Sequence, residues 1–146
     1  MFQKIVIATD GSETSQKAAK MGVELAKMHN ALIMVVYVAD TSRLGYLSDY
    51  IQYSGVIREL MLNEGKVSTD YVEERALAAG VGCEKKILEG RPSDELLRIS
   101  RESGVDLLVM GSVGRGGLDR FLLGSVAEKV VQHSKVPIML VPGSKK

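Results

Sequence analysis

LLVMGSVGRGGLDRFLLGS, residues 107–125, sets the reading of this chain. Leu107, Leu108, Val109 and Met110 form a short apolar run suited to a strand covered on both faces, and it passes directly into a glycine-rich segment. Gly111, Gly114 and Gly124 leave the backbone free to approach a ligand closely, and Ser125 stands where a helix begins. The first amides of a helix lack intrahelical partners and lie at the positive end of its dipole. A strand, a glycine loop and a helix start in that order therefore suit a phosphate.

Working outward, apolar runs recur at Lys4–Ala8, at residues 31–38 and at Ile138–Val141, while residues 83–88 alternate and make a shorter fifth strand. Helical patterns lie between them. Residues 13–29 place Ala18, Met21, Gly22, Leu25 and Met28 on one stripe, with Ser12 as N-cap. Residues 54–79 carry Val56, Leu60, Val67, Tyr71 and Leu77 at helical spacing. Gly65 weakens the middle of that helix by about 1 kcal/mol relative to alanine. Pro92 suits a first helical position ahead of Leu96, Leu97 and Ile99, and a last helix spans residues 125–133.

Strands alternating with helices imply right-handed crossovers and a parallel sheet covered on both faces, an α/β doubly wound fold. In such sheets ligands sit beyond the carboxyl ends of the strands, where strand order reverses. The first strand ends at Thr9-Asp10-Gly11-Ser12 and the fourth runs into Gly111, so neighbouring first and fourth strands would line one crevice. The long connection, residues 39–53, has the length of a lid or binding loop and contains Tyr46, Tyr50 and Tyr53.

Composition narrows the function. The 146 residues suit a single domain, 1–146, and a formal charge of +1 provides no overall field for nucleic acid or an anionic membrane. Cys83 is the sole cysteine, which excludes an intrachain disulfide; with only His29 and His133 beside it no zinc cluster is recognisable. We read Cys83 as a packed residue near a strand and both histidines as helix C-terminal. The first residues lack a signal-peptide pattern and no apolar run reaches membrane-spanning length, so a cytoplasmic protein is expected.

Two common nucleotide motifs are excluded. No G-x4-G-K-[ST] occurs, and the first strand is followed by a single glycine rather than G-x-G-x-x-G. What the chain has is G-x2-G-x9-G-S. With the start Ile5-Val6-Ile7-Ala8-Thr9-Asp10-Gly11-Ser12, Val38, Met110-Gly111-Ser112-Val113-Gly114, Gly124-Ser125-Val126-Ala127 and Val136-Pro137-Ile138-Met139-Leu140-Val141, it resembles the ATP-binding branch of the universal stress protein family along essentially its whole length.

That resemblance implies a five-stranded parallel sheet in the order 3-2-1-4-5, of the adenine nucleotide alpha hydrolase-like type, with ATP at the 1/4 switch point. It implies that Ala8, Thr9, Asp10 and Val38 hold the adenosine end, with Asp10 near the ribose or a Mg²⁺ carried by the nucleotide. Gly111, Gly114, Gly124 and Ser125 would line the phosphates, with Met110, Val113, Val126 and Ala127 flanking them. Some members carry histidine and threonine where this chain has Val113 and Ala127, which thins the polar support. A homodimer through Ile138–Val141 is also implied, and that strand's place near a sheet edge favours pairing on physical grounds.

Plainer roles compete with these. Ser125 and Glu128 fit an S-x-x-E capping box, and Asp10 fits an Asx turn with Ser12. Arg115 and Arg120 are either phosphate partners or solvated loop charges. Asp119 is the one loop acid that could orient water, and no motif names a catalytic base, so we expect binding with slow or negligible turnover. The expectation is an ATP-binding regulatory protein of the stress-response type. An ATP-hydrolysing or adenylate-transferring enzyme and a nucleotide-free dimeric scaffold are the alternatives.

Overall fold

The computed structural model describes residues 1–42, 54–114 and 123–143. Its elements run β1 (Lys4–Ala8), α1 (Glu13–His29), β2 (Leu32–Ala39), α2 (Ser54–Ala78), β3 (Cys83–Glu89), α3 (Pro92–Ser100), β4 (Leu107–Gly111), α4 (Ser125–His133) and β5 (Ile138–Val141). All the strand pairings are parallel, in the order β3-β2-β1-β4-β5. The chain winds outward from β1 through β2 to β3, crosses back to β4 beside β1, and ends at β5. β1 and β4 therefore flank the reversal, and Ile5 pairs with Ile33 on one side and Leu107 on the other.

The period of two along each strand divides the core between two faces. Ile5, Ile7, Ile33, Val35, Leu107 and Val109 pack under α1 and α2 with Ala18, Ala19, Val23, Val72 and Ala76. Val6, Ala8, Met34, Val36, Leu108 and Met110 pack under α3 and α4 with Leu96, Leu97, Ile99, Ala127 and Val130. Both faces of the central strands are thus dry, as their continuous apolar runs require. β3 alternates because it lies at the edge, and β5 forms the opposite edge with Ile138, Met139 and Leu140 half-buried.

α1 begins where expected: Ser12 is the N-cap and its Oγ accepts from the Ser15 amide at 3.2 Å. It ends at Asn30 in the left-handed region, φ 54°. Its buried stripe is Ala18, Ala19, Gly22, Val23 and Ala26, so the expected stripe needs correction at Met21 and Met28, which are exposed, the latter to 80%. Small residues win because the helix lies close over β1. A Cβ on Gly22 would stand 2.7 Å from Ile7 Cδ1.

α2 forms where the helical spacing placed it, but most of the apolar residues that marked it do not face the sheet. Val56, Leu60, Val67 and Leu77 point to solvent, Val67 at 70% exposure, and Tyr71 is half-buried with the Arg75 guanidinium over its ring. Gly65, Ser68, Thr69, Val72 and Ala76 face the sheet instead. At Gly65 a Cβ would stand 2.7 Å from Tyr37 Cδ1, so the glycine read as a weak point is what lets the helix approach β2. Thr69 Oγ1 donates to the Gly65 carbonyl at 2.8 Å, which makes its burial tolerable.

Candidate functional site

At the carboxyl end of β1 the chain turns through a dense set of local bonds. The Thr9 amide donates to the Val36 carbonyl at 2.9 Å and keeps Thr9 in sheet register. Its Oγ1 lies 3.1 Å from Ser15 Oγ, which in turn donates to the Ser12 carbonyl at 2.9 Å. Asp10 Oδ1 accepts from the Ser12 amide at 2.9 Å, forming the Asx turn, and Gly11 follows at φ 81°, where a Cβ would be strained. Together these bonds hold the Asp10 carboxylate at the mouth of the switch point.

Across that point, β4 ends at Gly111 and the backbone stays tied on both sides. The Ser112 amide donates to the Val141 carbonyl at 2.9 Å, and the Ser112 carbonyl accepts from the Gly124 amide at 2.8 Å. Gly111 must be small, since a Cβ there would lie 2.7 Å from Thr14 Cγ2 and 3.2 Å from the Val113 carbonyl oxygen. Gly114 comes close to the first loop as well: a Cβ on it would lie 2.9 Å from Asp10 Oδ2 and would have to displace that carboxylate. The β1 and β4 loops therefore meet across the reversal, as their sequence positions suggested.

α4 departs from the capping-box expectation. Gly124, with φ −65° and ψ 156°, is the N-cap, so Ser125 is the first helical residue and no side chain caps the helix. The first turn closes through the Glu128 amide on the Gly124 carbonyl at 2.9 Å. Glycine brings no capping oxygen to the amides of this first turn, and the helix dipole adds positive potential there.

These pieces enclose a cavity of about 300 Å³. Its wall contains Ala8, Thr9 and Asp10 after β1, Val38 on β2, Met110, Gly111, Val113 and Gly114 at the end of β4, and Gly124, Ser125, Val126 and Ala127 at the start of α4, the residues to which the resemblance gave ligand contacts. Ser15, Val36, Pro92, Leu96 and Ser112 also line it and were not foreseen. Val36 stands two residues before Val38 on the same strand face, a signal that period two could have supplied. Pro92 and Leu96, four apart on α3, could be placed only once that helix was packed on the sheet.

A second, more polar cavity of about 450 Å³ adjoins the first and shares Pro92, Ser125 and Val126 with it. It brings Arg91 at the start of α3 and Lys129 on α4 to the same groove as Asp40, Ser42 and Ser93. Lys129 Nζ lies 3.1 Å from Asp94 Oδ1 with both side chains well exposed, a pair weak enough for the ammonium to turn to another anion. Among the described residues no cluster of three or more His, Cys, Asp or Glu is arranged to hold a metal ion. Arg115, Asp119, Arg120, Tyr46, Tyr50 and Tyr53 lie outside the described residues.

The remaining singled-out residues stand apart from the cavity. His29 and His133 occupy last helical turns, His29 with its ring edge-on to Phe2 at 5.0 Å. Cys83 opens β3, and burial pushes its thiol up to about 11. No helix among the described residues is long and apolar enough to cross a membrane.

Known proteins are similar to this chain in sequence and fold. Universal stress protein MJ0531 of Methanocaldococcus jannaschii is 38% identical over 146 residues, covering 100% of this chain and 85% of its own length. The solved structure of MJ0577, a universal stress protein from the same organism, superposes with a TM-score of 0.85 at 26% identity, covering 100% of this chain and 99% of that one. A universal stress protein solved in complex with cAMP matches with a TM-score of 0.64 at 29% identity, over 96% of each chain. The family model for the universal stress proteins spans residues 1–142, so the alignment takes in β1 through β5 and the whole cavity wall. The chain belongs to the universal stress protein family.

Proposed function

We propose that this protein binds an adenine nucleotide, ATP foremost, in the cavity between β1 and β4, and acts as a nucleotide-responsive regulatory protein of the stress-response type rather than as a catalyst. The observation that carries the reading is the convergence of the β1 end, Val38, the Gly111–Gly114 turn and the uncapped start of α4 on one cavity of nucleoside size. Its apolar part, with Ala8, Val36, Val38, Pro92, Leu96 and Met110, suits a base. Its polar end, at the first amides of α4, suits phosphates. The relative solved with cAMP lends weight to an adenine nucleotide.

The phosphates would run from α4 toward the adjoining groove, where Arg91 and Lys129 offer charge. Magnesium would arrive with the nucleotide, with Asp10 as its single protein carboxylate and water completing the octahedron. Val113 and Ala127 add no polar group, and among the described lining residues only Asp10 is an ionisable acid, which supports slow turnover at most. We further read residues 1–146 as one domain, the protein as cytoplasmic, and the functional unit as a homodimer paired through the open edge of β5.

Equilibrium binding with ATP, ADP, AMP and GTP tests the reading. We expect one adenine nucleotide per chain, with GTP markedly weaker and phosphate release far below one per minute. Absence of adenine-nucleotide binding at millimolar concentration would overturn it, and rapid multiple turnover would replace the regulatory reading with an enzymatic one.

A further inference from the structure

Among the described residues, one buried side-chain polar atom has no hydrogen-bond partner: Ser112 Oγ. Ser112 is 7% exposed and lines the cavity. It follows Leu108 and Met110 at intervals of two, and these belong to the α3 and α4 face on which the cavity opens. The other buried hydroxyls of the cavity are satisfied, Thr9 Oγ1 and Ser15 Oγ lying 3.1 Å apart. A buried hydroxyl left unpaired is destabilising, so its retention is a cost that a bound polar group would remove.

Its surroundings identify the group. The Ser112 carbonyl accepts from the Gly124 amide at 2.8 Å, so Ser112 stands one hydrogen bond from the cap of α4, whose first amides have no capping side chain. A hydroxyl donor beside a ring of amides at a helix start is the environment of an anionic oxygen. We propose that Ser112 Oγ donates a hydrogen bond to a phosphate of the nucleotide, so that the serine between the motif glycines is a specificity residue for nucleotides over nucleosides. This rests on the nucleotide reading given above.

Calorimetry or equilibrium dialysis of wild type and Ser112→Ala with adenosine, AMP and ATP tests it, with thermal unfolding of the ligand-free proteins in parallel. Loss of one charge-assisted bond should weaken AMP and ATP about tenfold and leave adenosine unchanged. The ligand-free variant should melt no lower than wild type, because the substitution removes an unpaired group. A structural role would lower the melting temperature and leave the AMP-to-adenosine ratio intact, which would overturn the assignment. Equal loss for adenosine would overturn it too, by moving the contact to the nucleoside. If wild type binds all three and the variant matches it, the Ser112 assignment alone falls; if wild type binds none, the nucleotide reading falls and takes this one with it.

Discussion

Gly111→Ala tests the close approach of α1 to the end of β4. The new Cβ would meet Thr14 Cγ2 at 2.7 Å, some 0.7 Å inside the 3.4 Å at which ordinary contact begins, with the Val113 carbonyl oxygen at 3.2 Å. Thr14 sits in the first turn of α1, just after the Ser12 cap, so the helix cannot retreat without disturbing the Thr9 to Ser15 bonds. Overpacking of this kind costs about 1–3 kcal/mol. Restricting the unfolded chain returns roughly 0.5 kcal/mol, leaving a net loss of about 0.5–2.5 kcal/mol. At about 3 °C per kcal/mol for a chain of this size, the melting temperature should fall by roughly 2–8 °C. Urea unfolding followed by far-ultraviolet circular dichroism should show a lower midpoint at unchanged slope. The second arm is Thr14→Ser, which removes Cγ2. In the Gly111→Ala background it should restore at least half of the loss, whereas alone it should be nearly neutral. Additive effects in the double variant would refute the steric reasoning, since coupling is the signature of a shared contact.

Val72→Ala, at a fully buried position on α2, should cost about 2 kcal/mol, while Val67→Ala on the same helix should stay within about 0.5 kcal/mol; comparable losses in urea midpoints would contradict the observed face. Ser12→Ala removes the α1 cap and should destabilise by about 1 kcal/mol. Ser125→Ala should leave the ligand-free protein unaffected because Gly124 caps α4, and a loss matching that of Ser12→Ala would reinstate the capping box. For Cys83 the folded thiol titrates near 11, above its ordinary range, so the thiolate is disfavoured in the fold. Native alkylation at pH 8 should then run about 100-fold slower than in urea, and a ratio near one would exclude that shift. By the same linkage the neutral thiol's contribution to stability is present below the unfolded thiol's value and is lost as pH rises through about 11.

The sheet was legible because its signal is local. Each central strand is apolar on both faces, and the alternation of runs and helical patterns leaves one architecture for a chain of this length. The helix faces were less legible for a physical reason. α1 and α2 lie so close to the sheet that glycine, alanine, serine and threonine occupy the contact, while Met28 and Val67, more hydrophobic by any scale, stay in solvent. A hydrophobic stripe measures apolar character and misses proximity, and Gly22 and Gly65 mark where proximity decides. In the site the same contrast holds. The glycine spacing and Asp10 could be read along the chain, whereas Pro92, Leu96 and Ser15 enter the cavity wall only through packing between elements distant in sequence. The capping-box motif at Ser125 failed because Gly124 already supplies the extended conformation a cap needs, which moves the serine one position into the helix.

The bonds around Ser112 also bound what the proposed nucleotide occupancy could do. Through its amide this residue holds Val141 at the end of the edge strand, and through its carbonyl it holds Gly124 at the start of α4, at 2.9 and 2.8 Å. Cavity and edge strand are thus joined by two hydrogen bonds at one residue, so a ligand that repositions the loop after β4 acts directly on the end of β5. For the nucleotide and the edge pairing proposed above, linkage limits the size of that action: a nucleotide would shift pairing only by the ratio of its affinities for the paired and unpaired forms, and a tenfold ratio corresponds to about 1.4 kcal/mol. Pairing would then change nucleotide affinity by the same factor. The regulatory role proposed above would therefore need no catalytic step, because a preference of that size carried through Ser112 would partly shift the state of the edge with the state of the cavity.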